Sequence, residues 1–175
     1  MKSKLAATLV IAYCTVGLSH AVEARDQSAH KEAPALERFA MLEGEWIGKG
    51  MHGDTEQEVR VVYKVTSGGS AVVETMGPDT DHEMVTVIHP DGDSLLLTHY
   101  CMLGNQPQMR AKPRPGDNQV AFEFVRATNL ASDKDMYMRS VTFTFVDQDT
   151  LKTEWTNYSD GKEAGKSAFE FKRQK

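Results

Sequence analysis

From Glu45 to Arg173 the chain is a succession of short stretches in which apolar and polar side chains alternate. Val59, Val61, Tyr63 and Val65, set against Arg60 and Lys64, are representative. A period of two is the signature of a strand with one face in a core and one in water. Such stretches cover 45–51, 56–66, 70–76, the two arms of 82–102, 108–112, 119–126, 136–146, 151–158 and 167–173. Turn signals separate them: Gly68-Gly69, Asp91-Gly92, Pro113 to Gly116, Asp147 to Asp149 and Asp160-Gly161. Helical spacing occurs once, where Leu36, Phe39, Ala40 and Leu42 follow Pro34, and predicts a short helix over 36–42. About nine or ten short strands joined by tight turns predict an all-β antiparallel meander. A meander of that length must hide its edges, and closing into an up-and-down barrel over 45–173 does so. An orthogonal sandwich is the alternative. No glycine-rich loop runs from a strand into a helix, which excludes the βαβ nucleotide folds.

The first residues read as an export signal. Lys2 and Lys4 precede an uncharged apolar run from Leu5 to Leu18, and Ser19-His20-Ala21 offers small residues where a signal peptidase cuts. The run is too short for a confident membrane span, so no stable membrane insertion is expected. Cys14 lies within the run behind the bulky Tyr13, which disfavours a lipoprotein anchor. Residues 1–21 are therefore assigned to a signal peptide, 22–34 to a flexible leader and 35–175 to a single barrel domain, exported to the periplasm or secreted. The net charge is −5, and residues 1–21 carry two Lys and no acid, so the remainder sits near −7. That argues against nucleic acid as a partner. Of the two cysteines only Cys101 lies beyond the signal, so no disulfide within the mature chain is available to hold the fold.

The hairpin 82–102 carries the chemistry. With Asp91-Gly92 as its two-residue loop, Pro90 faces Asp93, Ile88 faces Leu95, Thr86 faces Leu97, Met84 faces His99, and His82 faces Cys101. One face then runs from an apolar floor to a rim of His82, His99 and Cys101. Facing residues have Cβ atoms about 5 Å apart, close enough to share one metal ion or one ligand group. Imidazole and thiolate suit zinc, copper or haem iron. A structural zinc site needs a fourth ligand that the spacing does not supply, and a structural or merely polar rim explains the same residues. Cys101 with His82 also reads as a nucleophile and base. The opposite face, with Glu83, Val85, Val87, Leu96 and Tyr100, is partly apolar too, which leaves open the face that lines the interior.

The helix followed by Gly44-Glu45-Trp46 resembles the Gly-x-Trp opening of lipocalins and related calycin barrels. In that family a basic residue of the last strand covers the Trp. Phe169, Phe171 and Arg173 share one face of the last strand here, so the resemblance implies that Arg173 lies on the Trp46 ring. Leu42 to Gly50 also resembles the opening of the nitrobindin-like haem barrels. Thr98 to Pro107 is most similar to a segment of uncharacterised exported bacterial proteins of lipocalin-like type. The haem barrels ligate iron through a histidine late in the chain, and this sequence has none after His99.

Three further residues complete the candidate set. Arg139 shares a strand face with Tyr137, Val141, Phe143 and Phe145, so an inward orientation makes it a cation for a ligand carboxylate or phosphate. An exposed arginine whose stem covers apolar surface fits equally. Trp155 and Asn157 share a face with Leu151. The expected ligand-binding residues are thus His82, Met84, His99, Cys101, Arg139, Trp155 and Asn157, with His82, His99 and Cys101 as the metal candidates. Three functions fit: a carrier or sensor of a small, largely apolar molecule with a polar or anionic group, a Cys/His or metal enzyme acting on a small molecule, and an envelope interaction module.

Overall fold

The computed structural model describes residues 34–52 and 55–175; the signal peptide and nearly all of the leader lie outside the described residues. The chain opens on a helix α1 (Pro34–Ala40), followed by ten strands: β1 (Gly44–His52), β2 (Thr55–Thr66), β3 (Ala71–Met76), β4 (Met84–Asp91), β5 (Ser94–Tyr100), β6 (Gln106–Ala111), β7 (Gln119–Thr128), β8 (Tyr137–Asp147), β9 (Thr150–Ser159) and β10 (Lys162–Arg173). Each strand pairs antiparallel with the next, and β1 also pairs with β10, so the meander closes into a barrel. The helix begins two residues earlier than the apolar spacing suggests, at Pro34, whose fixed φ suits a first helical turn. β10 begins at Lys162, not at Ser167. Lys162 to Lys166 lack apolar alternation, yet the tight Asp160-Gly161 turn returns them along β9, with a bulge between Glu163 and Gly165.

The interior follows the predicted alternation. Trp46, Val61, Val72, Ile88, Leu97, Phe122, Phe143, Leu151 and Phe171 are all buried. The helix plugs the end at which β10 finishes. Phe39 is fully buried there and makes edge-on contacts with Phe122, Phe143 and Phe145, at ring-centroid separations of 5.9, 5.1 and 5.4 Å. The far end carries the 77–83, 101–105, 129–136 and 160–161 connections.

Closure depends on β1. Gly48 and Gly50 face Phe171 and Phe169 of β10 across the seam. A Cβ at Gly48 would come within 2.7 Å of the Glu170 carbonyl oxygen, so only glycine lets the phenyl rings lie flat on the backbone. One turn nearer the helix, Trp46 faces Arg173 in register. The Trp46 indole N–H donates to the Leu42 carbonyl at 2.7 Å. The Arg173 guanidinium sits 4.3 Å from the indole centroid and donates to the carbonyls of Met41, Glu43 and Gln148 at 2.6, 2.8 and 3.1 Å. The last strand is thereby clasped to the α1–β1 connection and the β8–β9 turn.

The hairpin register differs from the sequence expectation. Gly92-Asp93 forms the loop, with Gly92 at φ +64 in its first position, and Asp91 pairs with Ser94. Glycine at the first loop position is the demand of a II′ turn, whereas the expectation placed it second. The partners move by two residues: Ile88 meets Leu97 and Thr86 meets His99. A shift of two preserves the alternation, so Thr86, Ile88, Leu95, Leu97 and His99 still share a face, and that face is the interior one. The shift also leaves His82 and Cys101 outside the paired strands.

Replacing Arg173 by Ala should lower stability by about 2 kcal/mol, through the lost stacking and charge-assisted hydrogen bonds. Gly48→Ala should cost a comparable amount, on the order of 1–3 kcal/mol, through overpacking. Urea melts of both variants check this; an Arg173→Ala midpoint equal to that of the parent chain would contradict the clasp.

Candidate functional site

One ring of interior positions is polar in an otherwise apolar barrel. In register across four strands stand Tyr63, Glu74, Thr86 and His99. All four are buried. The Tyr63 hydroxyl donates to Glu74 Oε2 at 3.1 Å, and Thr86 Oγ1 lies 2.9 Å from His99 Nδ1. Burial pushes the Glu74 carboxyl up to about 7, against the opposing pull of the Tyr63 hydrogen bond. Burial also holds the Tyr63 hydroxyl well above its ordinary range and lowers His99 to about 4, so its imidazole is neutral at physiological pH.

His99 continues the polar line across the barrel. Its ring lies 4.8 Å from the Trp155 ring, tilted by 44°. Three side chains of this region end in buried atoms without a hydrogen-bond partner: His99 Nε2, Trp155 Nε1 and Asn157 Oδ1. Thr153 Oγ1, farther along the same face of β9, and Asn105 Oδ1, in the turn after β5, are in the same condition. Each unmet buried group costs about 1–3 kcal/mol. Over this end fold the 101–105 turn and the 129–136 connection, tied by Asn105 Nδ2 to the Met136 carbonyl at 2.9 Å and by Asn129 Nδ2 to the Gly104 carbonyl at 2.6 Å. Met102, Leu103 and Met136 are exposed on this cover.

The expected constellation assembles in part. His99, Trp155 and Asn157 project inward at the far end, and Met84 lies half-buried on β4, in register with Met76. His82 does not join them: it is exposed in the 77–83 turn, where its backbone N–H donates to Thr80 Oγ1. Cys101 is buried just past β5, and burial raises its thiol pKa despite the Leu103 and Met102 N–H groups beside it. A thiol whose pKa is raised is a poor nucleophile. No three His, Cys, Asp or Glu side chains converge as a metal-ligand set among the described residues, so the His82–His99–Cys101 trio does not form a metal centre. Among the described residues the buried imidazole, that of His99, lies against Thr86 and the Trp155 indole.

Arg139 departs from its expected place. A bulge between Met138 and Ser140 sets Met138 against Asn157 and Tyr137 against Tyr158, and leaves Arg139 as the extra residue. Its guanidinium lies 4.9 Å from the Phe124 centroid and 4.7 Å from that of Tyr158, and donates to the Tyr137 hydroxyl at 3.1 Å. The aromatic box satisfies this cation without an acid. Sequence reasoning missed Tyr63, Glu74 and Thr86 as a polar group. Glu74 carried a signal, since the alternation places it on the apolar face of Val72 and Met76. A separate concavity of about 520 Å³ lies over β8, β9, β10 and β1, lined mainly by outward residues such as Lys49, Glu56, Lys152 and Glu170. Its charges are paired, as in Lys49–Glu56 at 3.5 Å and Lys152–Glu170 at 3.1 Å.

No family model matches the chain, and no curated protein matches it either. Solved structures share the barrel. The crystal structure of Rv2717c from M. tuberculosis aligns with a TM-score of 0.61 at 16% identity, covering 82% of this chain and 99% of that one. A DUF3598-family protein of unknown function from Nostoc punctiforme aligns with a TM-score of 0.54 at 11% identity, covering 78% of this chain and 49% of that one. Both likenesses concern the fold, a closed antiparallel barrel consistent with the calycin type. Among the described residues no helix is long and apolar enough to cross a membrane.

The two perturbed groups predict a pH profile of stability. Glu74 titrates near 7 when folded against 4.5 unfolded, so the folded chain holds its proton longer, and stability falls as pH rises from 4.5 through 7. His99 titrates near 4 against 6.5, so stability also falls as pH drops from 6.5 through 4. The two windows overlap between pH 4.5 and 6.5, where their slopes oppose, so thermal melts of the parent chain should change little across that range. Glu74→Gln should leave the His99 dependence uncompensated, so the variant should lose on the order of 3 kcal/mol as pH falls from 6.5 through 4. Parallel profiles for the variant and the parent chain would contradict the assignment.

Proposed function

We propose that this chain is an exported carrier or sensor whose barrel takes a small, largely apolar molecule into its far end, where His99, Trp155 and Asn157 orient a polar group. The observation that carries the reading is the set of buried, unpartnered polar atoms on these three side chains. Natural interiors rarely keep such atoms, because each destabilises the fold unless something completes it. A ligand that supplies hydrogen bonds to an imidazole nitrogen, an indole N–H and an amide oxygen does so. Met84 and Leu97, on the same face as His99, offer apolar surface for the ligand body. The 101–105 turn, with exposed Met102 and Leu103, forms the side from which an apolar molecule would enter. Export rests on the N-terminal pattern of Lys2, Lys4 and the apolar run to Leu18.

Native mass spectrometry of protein purified from its own host tests this reading. The expected result is a retained small molecule that the His99→Ala variant loses while its circular dichroism stays that of the barrel. A chain that carries nothing, and whose Trp155 emission no apolar probe alters, would contradict it.

A further inference from the structure

Building on the binding reading above, we propose that the interior site selects organic amines, with the ligand ammonium paired to the Glu74 carboxylate and the ligand body against the aromatic and aliphatic wall. The sign of the buried charge carries this. Glu74 is the one buried acid among the described residues, and no Lys or Arg is buried with it. Its hydrogen bond comes from the uncharged Tyr63 hydroxyl, and no cation bears on its titration. A buried carboxyl without a cation is an unpaired charge site, and an ammonium is the group that completes it.

The neighbours agree. Thr86 and then His99 follow Glu74 in register, and the neutral imidazole does not repel a cation. Tyr63 and Trp155 present rings to the same interior, which favours a positive ligand group. The sequence pointed instead to an anionic ligand group held by Arg139, but that guanidinium is caged between Phe124 and Tyr158. A ligand carboxylate would have to be buried beside Glu74, whose titration no cation influences.

Pairing also sets a pH dependence. Free Glu74 titrates near 7, so ammonium binding below that pH must expel its proton, and affinity falls as the solution is acidified. The titratable groups facing Glu74 from β2 and, through Thr86, from β5 are Tyr63 and His99; both stay neutral between pH 6 and 8.

Isothermal titration of the full chain with phenethylamine, phenethyl alcohol and phenylacetate, at about pH 6 and pH 8, tests the proposal. At pH 8 the amine should bind roughly tenfold tighter than the alcohol, with phenylacetate weakest, and the advantage should shrink by about half or more at pH 6. Glu74→Gln should erase the advantage; should that variant misfold, the three-probe comparison on the parent chain decides alone. Equal affinities for amine and alcohol, an advantage that survives Glu74→Gln, or a preference for phenylacetate would overturn amine selectivity while leaving the binding reading standing. Failure of all three to bind, with Trp155 emission unchanged, would overturn both.

Discussion

The pairing of β1 with β10 is the contact on which the rest of the structure depends. A ten-stranded meander has two edges, and leaving them open would expose rows of unpaired backbone groups. Gly48 and Gly50 let two strands approach with Phe171 and Phe169 flat against the seam. Arg173 then fastens the closed ring, bonding three carbonyls from the α1–β1 connection and the β8–β9 turn while covering Trp46. A lysine has one compact donor head and could not reach all three carbonyls while lying on the indole. With the seam shut and α1 in one end, the interior is a sealed apolar volume, and any polar group left inside acquires energetic weight.

That weight falls on a polar row that starts beside Trp46 and leads toward the far end. Tyr63, Glu74, Thr86 and His99 form a polar row on neighbouring strands, and Trp155 meets it from across the barrel. The local pairs Tyr63–Glu74 and Thr86–His99 satisfy one side of the row. The outer nitrogen of His99 and the indole N–H of Trp155 are left without partners. Packing alone would be better served by aliphatic side chains at these positions, since an uncharged apolar replacement carries no unmet hydrogen bond. Their presence is the physical basis for reading this end as a site and the helix end as scaffold.

Much of the architecture was legible because alternation and turns are local. The strand succession, the single short helix and the closure follow from residues near one another, while the Trp46–Arg173 contact was implied by the resemblance of the Gly44-Glu45-Trp46 opening. The hairpin shows the limit. Asp91-Gly92 marked the turn correctly to within one residue, and the face survived because partners moved by two. The exact partners decided the chemistry, though: His82 left the paired strands, and Thr86 replaced Met84 opposite the His99 imidazole. Arg139 shows a similar limit: a bulge in β8 has no alternation signature, and it makes this residue, for which an interior cation and a rim arginine fitted equally, the centre of an aromatic box. Glu74 was visible as an acid on an apolar face, but only pairing across strands linked it to Tyr63, Thr86 and His99.

The two tryptophans separate scaffold from site in one experiment. Trp46 spends its indole N–H on the Leu42 carbonyl, whereas that of Trp155 is unpartnered. Indole N–H resonances of nitrogen-labelled protein, followed during titration with phenethylamine, therefore test the central claim most directly. The account predicts that the Trp155 resonance moves and saturates while that of Trp46 stays fixed. A static Trp155 resonance, or equal movement of both, would contradict it.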